Sequence, residues 1–267
     1  MTTQQFLLSE WDWNPLVIIA CVITLYLYGL ACRWKFSGKS FFFLVGLVFL
    51  FAALDSPISY LARGILFSAH MLQHLLFVLI VPPFLLLGLP AAGTHGQIPG
   101  RLLPWGNNPL IAWLSGVGAM WIWHVPALCD AAVSNESVHV LQTFSLLLLG
   151  VLFWRPILSA RKEDRLSPLA GIPYLFSACV ACSLLGIWIT FAPVGVCPVF
   201  MNPIDRLDIL PVIQNAWGLT PAVDQQIGGL LMWVPACLVY LGAILVLLGR
   251  YYRGSIKEMG IKNVRKK

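Results

Sequence analysis

The sequence predicts an all-α protein: a polytopic membrane helix bundle of seven transmembrane helices, with the N-terminus outside and the C-terminus in the cytoplasm. Three observations lead to this fold class, namely the composition, the spacing of the apolar runs and the distribution of the basic residues. Of the 267 residues, 59% are hydrophobic and 10% are charged, whereas soluble domains average about 45–50% apolar and about 25% charged residues. We therefore expect a single integral membrane domain, 1–267.

Seven runs are apolar enough to be membrane-spanning helices. A span needs about 20 mostly apolar residues, and lipid leaves the backbone no hydrogen-bond partners outside the helix. The runs cover approximately residues 15–32, 40–54, 66–89, 108–129, 137–158, 170–192 and 225–249. A long outer loop, 193–224, precedes the last run, and a basic tail, 250–267, follows it. Pro82, Pro83 and Pro235 lie inside runs, so we expect kinks whose missing hydrogen bonds are compensated by neighbouring helices.

The basic residues indicate the orientation. Of the 17 Lys and Arg, all except Arg63 and Arg206 lie in the first, third and fifth loops or in the tail. Cytoplasmic loops carry such an excess, so these loops and the tail are predicted to lie inside. The net charge of +6 therefore indicates contact with a lipid bilayer and no binding of nucleic acid.

Four of the five histidines lie inside or at the ends of apolar runs. They are His70, His74, His124 and His139, and the predicted topology places all four near the outer face. Titratable side chains are costly in hydrocarbon and usually mark a site. His70 and His74 are four residues apart and share a helix face, while Asp224 opens the seventh run on the same side. These five residues are the predicted metal ligands.

A second group of side chains lies beside the predicted ligands on the same helices or near the same membrane face. Its members are candidate additional ligands or supporting residues. His95 lies in an inner loop and is given no role. The group consists of Gln73, Met120, Asp130, Gln142 and Met232.

The residue types leave the identity of the metal open. Imidazole suits copper, zinc and iron, whereas an added thioether favours Cu(I). Four histidines can also hold a haem at the outer side. Zinc with an open coordination position would activate a water, with Asp224 as the base, which describes an intramembrane hydrolase.

The seven cysteines are weakly informative. Cys129 and Cys197 both fall near the outer face, where an oxidising exterior permits a disulfide, and the sequence leaves their pairing open. Cys179 and Cys182 have C-x-x-C spacing in the middle of a predicted span, and we interpret them as small packing residues.

Three stretches carry a family resemblance in combination. They are Ser68-Ala-His70-Met-Leu-Gln-His74 with Pro82-Pro83; Trp121-Ile-Trp123-His124-Val-Pro126 with His139; and Asp224-Gln225-Gln226-Ile-Gly-Gly229 with Met232-Trp233-Val-Pro235. In this combination the chain resembles the CtaG family of cytochrome c oxidase assembly factors, the group associated with caa3-type oxidases.

The resemblance implies a multi-pass protein of the bacterial plasma (inner) membrane that helps to assemble a haem–copper oxidase. It implies a non-enzymatic chaperone that binds copper at the outer histidines and delivers it to an oxidase subunit. It also implies that Met232 and the five predicted ligands belong to the family pattern. The alternatives are the zinc-dependent hydrolase, which would use the same His and Asp residues, and an outer-side haem-binding protein.

The orientation can be tested by labelling single added cysteines with a membrane-impermeant maleimide. We expect Thr3→Cys to add labelling in intact cells, and Lys262→Cys to add it only after the membrane is opened, because most basic residues are then cytoplasmic. Labelling of Lys262→Cys alone in intact cells would reverse the orientation.

Overall fold

All regular structure in the described part of the chain is helical. The computed structural model describes residues 2–35, 37–90 and 108–265, so the predicted loop residue His95 lies outside the described residues. The α-helices are α1 Thr3–Ser9, α2 Pro15–Ala31, α3 Gly38–Asp55, α4 Pro57–Ala62, α5 Phe67–Leu75, α6 Val81–Gly88, α7 Pro109–Trp123, α8 Pro126–Ser134, α9 Glu136–Leu158, α10 Pro168–Phe191, α11 Leu210–Asn215 and α12 Pro221–Arg265. The all-α prediction is confirmed.

The helices include several that are long and apolar enough to cross a bilayer. Within the described ranges there are five: α3, the α5–α6 segment, α9, α10 and the part of α12 from Pro221 to Ile256. A sixth results if α7 and α8 are counted as one bent span, and α2 is a shorter apolar helix of 17 residues. The chain is therefore a multi-pass membrane protein, while the count of seven spans and the orientation stay predictions.

The third predicted span is divided by its prolines. A π-helical turn, Leu76–Ile80, separates α5 from α6, and Pro82 and Pro83 follow it. Proline has no N–H, so Pro82 cannot donate to the carbonyl four residues earlier, at Val78. The indole of Trp154 on α9 donates to that carbonyl instead, at 3.0 Å. The predicted compensation by a neighbouring helix is thus present.

The fourth predicted span is broken, which corrects the expectation of one helix over 108–129. Helix α7 ends at Trp123, and α8 leaves it at an angle of 77°. Val125 precedes Pro126 and is extended, because the proline ring disfavours the helical conformation of the residue before it. Pro126 then opens α8, where a missing N–H is tolerated. His124 lies in the break, as the C-cap of α7.

Helix α12 is much longer than predicted. It begins at Pro221 and continues through Arg265, so most of the expected basic tail is a continuation of the last helix, and Pro235 lies inside it. One exposed face of α12 carries Leu238, Leu241 and Leu245, spaced as a single helix stripe that suits contact with lipid.

The outer loop is also structured. Residues of the predicted loop 193–224 form a 3₁₀ turn, Pro198–Met201, and α11. Cys197 forms a disulfide with Cys129 of α8, which answers the pairing question that the sequence left open. The disulfide fastens the loop to α8.

Helices α10 and α12 are in close backbone contact at two glycines. A Cβ on Gly186 would lie 2.8 Å from the Gly229 carbonyl oxygen, and a Cβ on Gly229 would meet both the Gly186 carbonyl oxygen and the Thr190 hydroxyl. Small residues are the usual means of bringing membrane helices together. Elsewhere in the interface between α10 and α12, Cys179 contacts Cys237 with 3.2 Å between the sulfur atoms, in keeping with the packing role predicted for Cys179.

Gly229→Ala should destabilise the bundle. The added methyl has no room and must push α10 away, an overpacking that costs about 1–3 kcal/mol. The thermal unfolding midpoint of the detergent-solubilised protein measures this. Gly242→Ala on the same helix is the matched control, because a Cβ there meets nothing within 4 Å. Equal midpoints for the two variants would contradict the close contact.

Candidate metal centre

Three of the predicted histidines meet in one buried cluster. His70 and His74 lie on successive turns of α5 with their ring centroids 4.4 Å apart. The His124 ring, at the end of α7, stands nearly perpendicular to the His74 ring at 5.2 Å. All three side chains are at most 4% exposed. The sequence prediction of a shared face for His70 and His74 therefore holds, and α7 adds the third ring.

The two rings on α5 have unsatisfied nitrogen atoms. Neither nitrogen of His70 and neither nitrogen of His74 makes a hydrogen bond of standard geometry within the described structure, although the Ala62 backbone lies near His70 and the Gln142 side chain lies near His74. Buried polar atoms in native proteins are nearly always paired, so each exception calls for an explanation, such as an ion or a water. Four such atoms lie here on two adjacent side chains.

His124 has a different environment. Its Nδ1 lies within hydrogen-bonding distance of the Met120 carbonyl oxygen, and because a carbonyl only accepts, the ring must be the donor. Its Nε2 lies 3.1 Å from the sulfur of Met71. Met71 is fully buried on α5. Sequence reasoning proposed Met120 and Met232 as thioether candidates and missed Met71, although its position directly after His70 was a usable signal.

His139 lies at the edge of the cluster. It belongs to the first turns of α9, is 8% exposed, and is close enough to His70 for their charges to interact. One turn earlier, Glu136 forms an ion pair with Arg63 at 3.4 Å. His139 therefore lies between the three inner rings and the surface.

A cavity of about 760 Å³ lies at this end of the bundle. Both members of the Arg63–Glu136 ion pair line it, together with the carboxylates of Glu10 and Asp12 and the guanidinium of Arg206. A cleft with more carboxylates than guanidiniums raises the local concentration of cations.

Asp224 is bound to the backbone. One carboxylate oxygen accepts from the Phe67 amide at 2.6 Å, and the other accepts from the Ser68 amide at 3.0 Å. These amides form the first turn of α5, whose own N-cap residue, Leu66, provides no side-chain hydrogen bond. Asp224 therefore caps the helix that carries His70, and both of its oxygens are used.

Gln225, which the sequence analysis quoted in a family stretch but did not propose as a site residue, fastens the connection between α10 and the outer loop. Its side-chain oxygen accepts from the Gly195 and Val196 amides, and its nitrogen lies 3.2 Å from the carbonyl oxygens of Ile189, Ala192 and Pro193. It thereby holds the end of α10 and the start of the outer loop against α12. Its place directly after Asp224 in a polar pair within an apolar run was the available signal.

The remaining sequence candidates take supporting positions. Gln73 donates to the Ala53 carbonyl of α3 at 2.6 Å, and Asp130 accepts from the Val199 amide at 2.9 Å. Gln142 is buried beside His74, and Met232 is packed in the apolar core.

The outer loop contributes Phe200, whose ring lies 5.7 Å from that of His70, so the loop covers the cluster.

The rings are in mutual contact and do not converge on one point. Within the described ranges, no group of three or more His, Cys, Asp or Glu side chains is arranged to hold a metal ion. The structure thus gathers His70, His74, His124 and Met71, leaves His139 at the rim, and engages Asp224 in capping. The five-ligand set stays a prediction.

Fold and site together define a multi-pass helical membrane protein with a buried imidazole cluster at one end of its bundle. A family model covers residues 21–254, that of the cytochrome c oxidase caa3 assembly factor, CtaG. The chain belongs to this family of cytochrome c oxidase assembly factors, as the sequence motifs predicted.

The comparison with curated proteins adds a distant relative. The chain is 26% identical over 208 residues to an uncharacterized protein of Mycobacterium leprae, ML1998. The match covers 70% of this chain and 30% of that protein, so the chain spans about a third of its relative's length. No solved structure matches the chain.

Replacing Asp224 by Asn should loosen the start of α5. The amide retains one acceptor but turns its NH₂ toward a backbone N–H, and an unsatisfied buried donor costs about 1–3 kcal/mol. Hydrogen–deuterium exchange should accelerate at the Phe67 and Ser68 amides. Asp208→Asn, at an exposed carboxylate of the outer loop, is the control. Unchanged exchange in Asp224→Asn would show that the carboxylate does not cap α5.

Proposed function

We propose that this protein binds copper ions at the cluster of His70, His74 and His124 and delivers them to a subunit of a haem–copper oxidase during its assembly. The observation that carries the proposal is the pair of buried rings on His70 and His74, whose nitrogens make no hydrogen bond of standard geometry and each of which, when neutral, offers one lone pair. Neutral imidazole nitrogens are copper ligands, and buried ones without partners lose the least by accepting an ion. Membership of a family of cytochrome c oxidase assembly factors supports an oxidase subunit as the recipient of the copper.

The donor set suits transfer of an ion better than its permanent retention. A structural site is usually closed by four ligands, whereas this cluster offers a small number of neutral donors. No carboxylate is added by Asp224, whose two oxygens are occupied by backbone amides. The same occupation makes Asp224 a poor general base, which supports an assembly factor over a metal-dependent hydrolase.

The cavity supports capture of the ion at the surface, because its carboxylates, Glu10, Asp12 and Glu136, attract cations. His139 lies one helical turn after Glu136, and from there the ion would pass to the inner rings. We expect this end of the bundle to face the outside of a bacterial plasma membrane, where copper would be loaded and an oxidase subunit met.

The purified protein should bind copper, and His74→Ala and His124→Ala should each weaken that binding by about tenfold or more, since even outer-shell changes at metal sites have effects of about this size. Copper content after dialysis against a chelator, with gel filtration to verify folding, measures this. His95→Ala is the control, because the sequence places that residue in a loop on the opposite side. Equal copper content in the wild type and in the variant lacking all four outer histidines would refute the site.

The same variants test in cells whether a haem–copper oxidase depends on this copper site. In a deletion strain, the wild-type gene and His95→Ala should restore haem–copper oxidase activity, and His74→Ala should not, while copper-free quinol oxidases stay unaffected. A visible spectrum from bound haem in the purified protein, or altered membrane lipids with unchanged oxidase activity, would favour the haem carrier or the hydrolase instead.

A further inference from the structure

Two atoms that both lack a hydrogen face each other at the centre of the site. Because the His124 ring donates through Nδ1 to the Met120 carbonyl, Nε2 of the neutral imidazole carries a lone pair and no proton. Opposite it, at 3.1 Å, lies the thioether sulfur of Met71, which also offers only lone pairs. No hydrogen bond can join these two atoms.

We infer that Met71 and His124 form a paired sulfur and nitrogen donor set that selects Cu(I). Metal bonds of about 2.0 Å to nitrogen and about 2.3 Å to sulfur, as zinc makes them, would let one ion reach both atoms across their 3.1 Å separation. A thioether is a soft ligand that prefers Cu(I) over zinc. The inference rests on the proposed copper function and names the oxidation state that the site takes.

The choice of Met71 follows from contacts and not from residue type. Met120 and Met232 are equally buried, at 2% exposed, but the sulfur that reaches the His124 ring is that of Met71. Met71 also precedes His74 by three residues on α5, so both project from neighbouring positions on one side of the helix. The thioether thus lies against the His124 ring, which also contacts the ring of His74.

The position of Met71 is held from two directions. Asp224 caps α5 one turn before it, and the backbone of α12 closes over it at Gly228. A Cβ on Gly228 would lie 3.1 Å from Cγ of Met71 and 2.5 Å from the Phe67 ring. A side chain at this point of α12 would therefore displace the thioether, and glycine leaves it in place.

The test compares Met71→Leu with Met232→Leu in the full-length protein. Leucine keeps roughly the volume and the apolar character and removes the sulfur, and the change of shape is the same in both variants. Cu(I) affinity is measured by competition with a chromophoric Cu(I) chelator, and Zn(II) affinity is measured on the same samples. Both variants keep the same thiols, so a difference between them reports the one thioether.

We expect Met71→Leu to lower Cu(I) affinity by about tenfold and to leave Zn(II) affinity unchanged, while Met232→Leu changes neither. X-ray absorption of the Cu(I)-loaded protein should show more sulfur scattering in Met232→Leu than in Met71→Leu.

Equal Cu(I) affinities in the two variants would overturn the assignment of Met71 and leave the histidine proposal standing. Parallel loss of Cu(I) and Zn(II) binding in Met71→Leu would reveal a packing role and also overturn it. A wild type without copper would refute both proposals.

Discussion

The hydrogen bonds from the Phe67 and Ser68 amides to the carboxylate of Asp224 hold together the parts that form the site. The first amides of any helix lack partners within that helix, and at Phe67 and Ser68 burial keeps water from replacing them. Leu66 supplies no cap, so the carboxylate arrives from α12, the most distant helix in sequence. A carboxylate at a helix N-terminus also complements the helix dipole. One residue thereby fixes α5 against α12.

The far end of α5 is held by a different device. Pro82 removes a donor, the helix widens into a π-helical turn, and Trp154 of α9 donates to the Val78 carbonyl. The segment with His70 and His74 thus lies between a capped start and an anchored break. The fixed backbone determines where the two rings enter the packed interior. There they lie beside the Ala62 backbone and the Gln142 side chain without a hydrogen bond of standard geometry.

The break between α7 and α8 places the third ring, that of His124, and this break also results from a proline. Pro126 ends the helix early, so the His124 amide bonds to Trp121 and the ring of His124 turns back to the Met120 carbonyl. That bond selects which ring nitrogen keeps its lone pair, and Nε2 then faces Met71. The effect of Pro126 on the local backbone thus determines which nitrogen of His124 offers a lone pair. The outer loop, tied down by the Cys129–Cys197 disulfide, covers the result with Phe200.

The sequence by itself determined the properties that depend on local pattern. Apolar runs of span length determine helices, because a backbone in lipid has no other way to pair its polar groups. The spacing of His70 and His74 determines their common face, and the motifs around them identify the family. Pro82 and Pro83 likewise predicted a disturbance of the third span and its compensation by a neighbouring helix, although neither the π-helical turn nor the residue that compensates was predicted.

Only the tertiary structure decided the properties that depend on which distant residues meet. From the sequence alone, an acidic residue at the start of the last span is equally compatible with a metal ligand, a general base or a helix cap. The hydrogen bonds that Asp224 accepts from the Phe67 and Ser68 amides show that it is a cap. Three buried methionines, Met71, Met120 and Met232, are indistinguishable as residue types, and contact with His124 singled out Met71. The pairing of Cys129 with Cys197 and the 77° turn between α7 and α8 were decided in the same way. The physical reason is that helix periodicity is a property of neighbours within a few residues, whereas caps, donor pairs and disulfides join atoms that only the packing of separate helices brings together.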